Sequence, residues 1–250
     1  MKATGRRCEM IRDKRIKKRK QRVLLAVVAV LIVLSFVLHR QITQGVFSPT
    51  ISGAYYHVAT DEKAVSLTFD AVWQPGELPR ILDILDRYEV QATFFLPGTW
   101  LRNNADLARE ILLRGHEIGH HGYAHKRLTE LNEEELSKEF ALMEEALQEE
   151  LNVQTQLFRP PYGEINQEVY DYISDRGYTT VLWSVDPHDW LDPGVDKIIT
   201  RVIKRVHNGA IILFHTNATQ AVDALPVIIQ SLKMQEYEIL PVTQLLEKEK

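Results

Sequence analysis

Beyond about residue 60, the apolar positions alternate between two patterns: short unbroken runs and a helical repeat. Ala64–Asp70 (AVSLTFD), Ala92–Leu96 (ATFFL) and Ala210–Phe214 (AIILF) are runs of the kind that form buried strands. Glu77–Tyr88 places Leu78, Ile81, Leu82 and Leu85 on one helical face, and Asp106–Leu113 reads the same way. Shorter strands are expected at Glu117–His120, Leu157–Phe158, Thr179–Val185 and Glu238–Leu240. Asn132 with Glu135 makes a capping-box-like start to a long acidic helix reaching about Leu151. Further helices are expected at Asn166–Asp175 (closed by Gly177), Val195–Val206 and Ala221–Met234, with a turn at Asn208-Gly209. The alternation predicts an α/β protein with a mainly parallel sheet. About seven strand–helix units in ~190 residues fit a small (β/α) barrel or a doubly wound sheet.

The first 60 residues follow another rule. Val23–Leu38 (VLLAVVAVLIVLSFVL) is 16 residues with Ser35 as its only polar one. As a helix it spans roughly 24 Å, which snorkelling Arg22 and Arg40 can extend toward the ~30 Å of a hydrocarbon core. Residues 1–22 carry eleven Lys or Arg against Glu9 and Asp13, so a chain of net charge −4 divides into +9 here and −13 beyond. Alone, the basic tail would read as a nucleic-acid arm. Followed by this apolar segment, it reads as the cytoplasmic flank of one N-terminal transmembrane helix, with the remainder outside. A cleaved signal peptide is the alternative, although Phe36-Val37-Leu38-His39 holds no small residue for cleavage. A core helix would rarely lack polar positions over four turns. The expected organisation is a basic tail (1–22), a membrane anchor (23–38), a linker (41–60) with Gly45, Pro49 and Gly53, and an extracytoplasmic domain (61–250). Cys8 is the only cysteine, which excludes a disulfide framework and leaves any metal to His, Asp or Glu. No nucleic acid and no obligate protein partner are expected.

Polar residues gather just after the strands: Asp70, His121, His125, Arg159, Asp186, Asp189 and His215. In a (β/α) barrel, those strand ends form the active face. His121 and His125 in HGYAH are spaced to put two imidazoles on one side of a helical turn, a set suited to zinc, although surface histidines four apart are common. His116 and His120 read as structural or solvated, with His120 pointing away from the ligand face. Asp70 either caps the following turn or serves chemistry. In FRPPYG, Pro160 and Pro161 fix the chain around Arg159 and Tyr162, as a rigid loop or as a site wall with Arg159 aimed at a carboxylate. WSVDPHDW combines Asp186 and Asp189 with Trp183 and Trp190, and indoles stack on sugar rings. Trp183 reads as core and His188 as exposed. His215, just past an apolar strand, is either merely hydrogen-bonded or functional.

Taken in order, LTFD, HGYAH, RPPYG, DPHDW and LFH resemble the five motifs of the polysaccharide deacetylase family, the NodB-like carbohydrate esterases. ATFFLPGTW and GHEIGHHGYAH extend the likeness, which covers about Lys63–Glu247. The resemblance implies a distorted (β/α) barrel of about seven strands. It also implies hydrolysis of N-acetyl groups on a glycan such as peptidoglycan or chitin, aided by a divalent metal, zinc foremost. By the family's pattern, Asp70 matches the catalytic base, His121 and His125 the metal ligands, and Arg159 the residue orienting the base. Tyr162 matches the residue whose backbone N–H helps bind the oxyanion. Asp189 and Trp190 match an aspartate–tryptophan pair, Leu213 the acetyl-pocket leucine, and His215 the general acid. Ala71 departs from the pattern, standing where the family places a metal-binding aspartate. The wording TFDAVW is similar to that of a subgroup associated with sporulating bacteria, which implies a cell-wall peptidoglycan setting.

Overall fold

β1 (Ala64–Asp70) is the centre of the sheet, and all seven of its residues are buried. Its alternation sorts them: Val65, Leu67 and Phe69 join the main apolar cluster, while Ser66, Thr68 and Asp70 share the opposite face. β6 (Ala210–His215) runs parallel to β1 from Val65↔Ala210 to Asp70↔His215. It repeats the alternation, with Ile212 and Phe214 in the cluster and Leu213 and His215 on the other side. The second edge of β1 is shared by β2 (Thr93–Leu96) over Thr68–Asp70 and by β7 (Glu238–Ile239) over Ala64–Val65. β3 (Glu117–His120), β4 (Leu157–Phe158) and β5 (Thr179–Thr180) follow outward, giving the order β5-β4-β3-β2-β1-β6 with every ladder parallel. Beyond β5, Val185 bridges Ile212, and Leu213 N–H donates to Val185 O at 3.0 Å, so the far side of the sheet reaches the free edge of β6. The result is a curled, parallel half-barrel. The alternation predicted the parallel sheet and left open a barrel or a doubly wound sheet, and the curl is consistent with the distorted barrel that the resemblance implied.

This computed structural model describes residues 50–72 and 74–250; the expected tail (1–22), the expected anchor (23–38) and residues 41–49 of the expected linker lie outside them. Among the described residues no helix is long and apolar enough to cross a membrane. Ile51 and Val58 are already buried in the folded unit. The helices form where the periodicity placed them: α1 (Leu78–Arg87), α3 (Ala105–Leu113), α4 (Glu133–Leu151), α5 (Gln167–Ser174), α6 (Val195–Arg205) and α7 (Thr219–Met234). The capping box of α4 is complete: Glu135 N–H donates to Asn132 Oδ1 and Asn132 N–H to Glu135 Oε2, each at 3.0 Å. Two short helices, α2 (Gly98–Asn103) and α8 (Val242–Leu246), show no repeat in sequence because they barely exceed one turn. Phe69 stacks on Phe94 and Phe214 at 5.0 and 5.6 Å, and each such ring contributes about 1.5–3 kcal/mol by burial.

One strand corrects the sequence reading. Thr179–Val185 is continuous strand only at Thr179–Thr180, with isolated bridges at Val181 and Val185. The carbonyls of Val181 and Leu182 instead accept from the Arg159 side chain, at 3.2 and 3.0 Å, so a buried guanidinium takes acceptors that a longer ladder would use.

Candidate active site

Asp70 and His215 are register partners at the ends of adjacent strands, on the face turned away from the main cluster. Each is held by one buried residue. Arg159 Nη1 donates to Asp70 Oδ1 at 2.8 Å, and Arg159 is fully buried, with its guanidinium 4.1 Å above the Phe95 ring. Burial raises the Asp70 pKa, but Arg159, then His121 and His215, outweigh it and hold the carboxyl below its ordinary value. Asp70 is therefore an ionised acceptor at neutral pH.

Asp189, also fully buried, grips His215 twice: Oδ1 accepts from Nδ1 and Oδ2 from the backbone N–H, both at 2.8 Å. Its Oδ1 also accepts from Trp190 N–H at 2.9 Å, which fixes the loop bearing the indole. Burial works against the His215 imidazolium, yet the bond to Asp189 and its charge prevail and raise the pKa. With Nδ1 committed to Asp189, Nε2 is the nitrogen left to exchange a proton.

His121 and His125 come together, with ring centroids 4.9 Å apart, but not on a helical turn. They bracket a loop with Gly122 at φ 73° and His125 at φ 52°. The left-handed region favours glycine, and the loop conformation is imposed by its neighbours. Gly98 and Thr99 N–H donate to the Gly122 and Tyr123 carbonyls at 3.0 and 2.9 Å, and Gly98 is required because a Cβ there would lie 2.3 Å from the Tyr123 ring. His121 Nδ1 lies 2.8 Å from Arg159 O; a carbonyl only accepts, so Nδ1 carries the hydrogen and Nε2 a lone pair. Burial lowers both pKa values, to about 3 for His125, and both rings are neutral donors at physiological pH.

The cation expected at these histidines meets an incomplete set. His121 Nε2 faces Asp70 Oδ2 at 3.4 Å, two acceptors with no hydrogen between them, a place that suits a positive charge. Ala71, however, is fully buried in the apolar cluster and supplies no donor. Among the described residues, no three of His, Cys, Asp and Glu are placed to hold a metal ion. The residues present fit an ion only in part.

The remaining candidates fall around this centre. Tyr162, at φ 62° in the turn Pro161–Gly163, packs its ring 4.6 Å from that of His125. Tyr162 and Trp190 are 41% and 56% exposed, aromatic faces accessible to a sugar. Leu213 is buried on the His215 face of β6. His188 is partly exposed beside Trp190, as expected, and Trp183 is partly buried with its ring against Gly163. His120 is buried against Phe140 at 4.7 Å and accepts from Gly122 N–H, and His116 is buried beside Phe94 with its pKa lowered to about 4 by burial. Both are structural.

One residue escaped the sequence reading. Glu139, on α4, is 2% exposed, and its Oε2 accepts from Tyr123 and Ala124 N–H at 3.0 and 2.8 Å. The available signal was its spacing: it falls within the apolar stripe of Leu136, Phe140, Met143 and Leu147.

The family model for polysaccharide deacetylase matches residues 57–181. A peptidoglycan-N-acetylglucosamine deacetylase of Bacillus cereus is 37% identical over 200 residues, covering 76% of this chain and 92% of that protein. The uncharacterized protein YlxY of Bacillus subtilis is 35% identical over 188 residues, 75% of this chain but 59% of the relative. Among solved structures, a CE4 family pseudoenzyme from Bacillus anthracis superposes with a TM-score of 0.75 at 33% identity, covering 80% of this chain and 71% of its own. A mutant of that pseudoenzyme with restored enzymatic activity gives 0.76 at 34%, covering 80% and 74%. The matched span and the curled parallel sheet agree, and the chain belongs to the polysaccharide deacetylase family of amide hydrolases.

Proposed function

We propose that the chain is a membrane-anchored hydrolase that removes N-acetyl groups from a cell-wall glycan, peptidoglycan first, on the outer side of the membrane. The observation that carries the chemistry is the pair Asp70 and His215, set side by side by strand register and each fixed by its own buried partner. Ionised Asp70 takes the proton of an attacking water, and the Tyr162 backbone N–H faces the oxyanion of the tetrahedral intermediate. His215 then protonates the departing amine. Tyr162 and Trp190 offer ring faces to the sugar. Deacetylases of this family generally depend on a metal. Here His121 and His125 would hold one, zinc by preference, with water or substrate completing the set, and it would acidify water and polarise the amide carbonyl.

The named relatives support a cell-wall substrate: besides the B. cereus enzyme, a peptidoglycan-N-acetylmuramic acid deacetylase of B. subtilis is 33% identical over 201 residues. Anchoring rests on the Val23–Leu38 run behind its basic flank; a domain that resists protease added to intact protoplasts would refute it. The test of function is acetate release from peptidoglycan and chitooligosaccharides by the full-length chain, with and without added zinc. Release that depends on zinc is expected. Ala71 and the likeness to a pseudoenzyme favour a second reading, glycan binding without turnover. That reading requires no acetate with any metal, and retention on peptidoglycan that survives Asp70→Ala.

The pKa directions set a pH profile. Asp70, held low, remains ionised throughout the neutral range, whereas His215 must carry its proton to act as an acid. Turnover should therefore fall as pH rises through the raised His215 pKa. Asp189→Asn should move that limb to lower pH and cut kcat by about 10²-fold, since positioned acids contribute 10²–10⁴. An unmoved alkaline limb in this variant would remove His215 from the acid role.

A further inference from the structure

The loop that presents the two imidazoles is clamped from both sides. On one side, the first turn of α2 binds the Gly122 and Tyr123 carbonyls; on the other, Glu139 Oε2 accepts the next two amide hydrogens, those of Tyr123 and Ala124. Glu139 Oε1 faces Lys126 Nζ at 3.0 Å, just past the loop. Nothing in α4 itself calls for an acid there: its neighbours along the stripe are Leu136, Phe140, Met143 and Leu147, and a buried carboxylate is costly unless hydrogen-bonded. Among the described residues, the hydrogen-bond and ion-pair partners of Glu139 lie in or just past the loop that ends at His125, whose φ of 52° falls in the left-handed region that few non-glycine residues occupy.

We propose that Glu139 is a positioning residue for the deacetylation site: it holds the 122–125 loop so that the His125 ring faces that of His121. It does not touch the reacting atoms. Its effect on catalysis rests on the function proposed above, whereas its effect on the loop does not. The substitution Glu139→Gln keeps a side-chain oxygen for both amides; Glu139→Leu suits the apolar stripe and keeps none.

The experiment compares the full-length wild type with Glu139→Gln, Glu139→Leu and Glu139→Ala. Hydrogen exchange of the peptide covering 121–126 should quicken about tenfold or more in the Leu and Ala variants, with α4 peptides unchanged, and return near wild type in the Gln variant. Zinc-supplemented acetate release should show kcat lowered by about 10–100-fold in the Leu and Ala variants with KM within about threefold, the Gln variant recovering most of it. Unchanged exchange at 121–126 in a folded Leu or Ala variant overturns the proposal. So does failure of both to fold while the Gln variant folds, which would make Glu139 a folding residue. If the wild type releases no acetate, the catalytic reading falls while the exchange arm still decides the clamp.

Discussion

Ala71→Asp is expected to tighten zinc binding by at least 10–100-fold, the range that loss of mere outer-shell support already commands at metal sites. The wild type offers two neutral imidazoles and, among the described residues, no third His, Cys, Asp or Glu placed to complete the set; Asp70 Oδ2 lies 3.4 Å from His121 Nε2, and the position after Asp70 contributes only a methyl group. A carboxylate there adds a ligand and a negative charge, and it leaves Asp70 free to act as a base. Acetate release should rise with it. Without metal the same substitution should cost about 1–3 kcal/mol, because the new carboxylate enters an apolar cluster beside a second acid. Zinc should reverse the sign of that change. Calorimetric titration of zinc, with thermal unfolding in its presence and absence, checks both parts. Equal, tight affinity in wild type and variant would mean that another donor completes the site. In the B. anthracis pseudoenzyme of this fold, mutation has restored activity, so inactivity there is reversible by substitution.

Arg159→Met should cost about 3–5 kcal/mol at neutral pH and abolish most turnover. The guanidinium is the charged partner of a buried carboxylate and also serves the carbonyls of Val181 and Leu182, so removal strands three acceptors. The linkage has a definite sign. Asp70 has a depressed pKa in the folded wild type, so its stabilisation is present above the unfolded value and lost as pH falls through the folded one. In the variant, burial raises the Asp70 pKa unopposed by Arg159, and the deficit should shrink as the solution is acidified and the carboxyl takes a proton. Adding Asp70→Asn to Arg159→Met should recover part of the loss, because no unpaired charge then remains. Urea unfolding of both single variants and the double variant at two pH values tests this. Strict additivity at every pH would show that the pair is not coupled.

How far these residues could be read in advance varies with how local their partners are. The Asn132–Glu135 box was legible because both of its hydrogen bonds close within one turn. His121 and His125 were legible as a pair but with the wrong local geometry, since four-residue spacing suits a helix, whereas the amides of Gly98 and Thr99 donate to the loop and Glu139 accepts from it, holding it non-helical. The strand at Thr179–Val185 was read too long for a similar reason: its residues favour β structure, but a guanidinium from another strand end takes two of its carbonyls. Glu139 went unread because an acid among many on an acidic helix stands out only when the apolar stripe is drawn through it.

By itself, the sequence determined the order of strands and helices, the alternation along β1 and β6 that turns Asp70 and His215 to one face, and the family to which the motifs belong. The order and the alternation follow from backbone periods of two and 3.6 residues, which any stretch of chain reports about itself, whereas the family is read from the five motifs in their order. The tertiary structure decided that β6 lies beside β1, so that Asp70 and His215 become neighbours, and that Arg159 and Asp189 each reach one of them. It also decided that the histidine loop is clamped by α4. Periodicity records which face of a segment is buried but not which distant segment buries it. Pairings between residues as far apart as Asp70 and His215 are therefore fixed only when the sheet curls and its strands find their register.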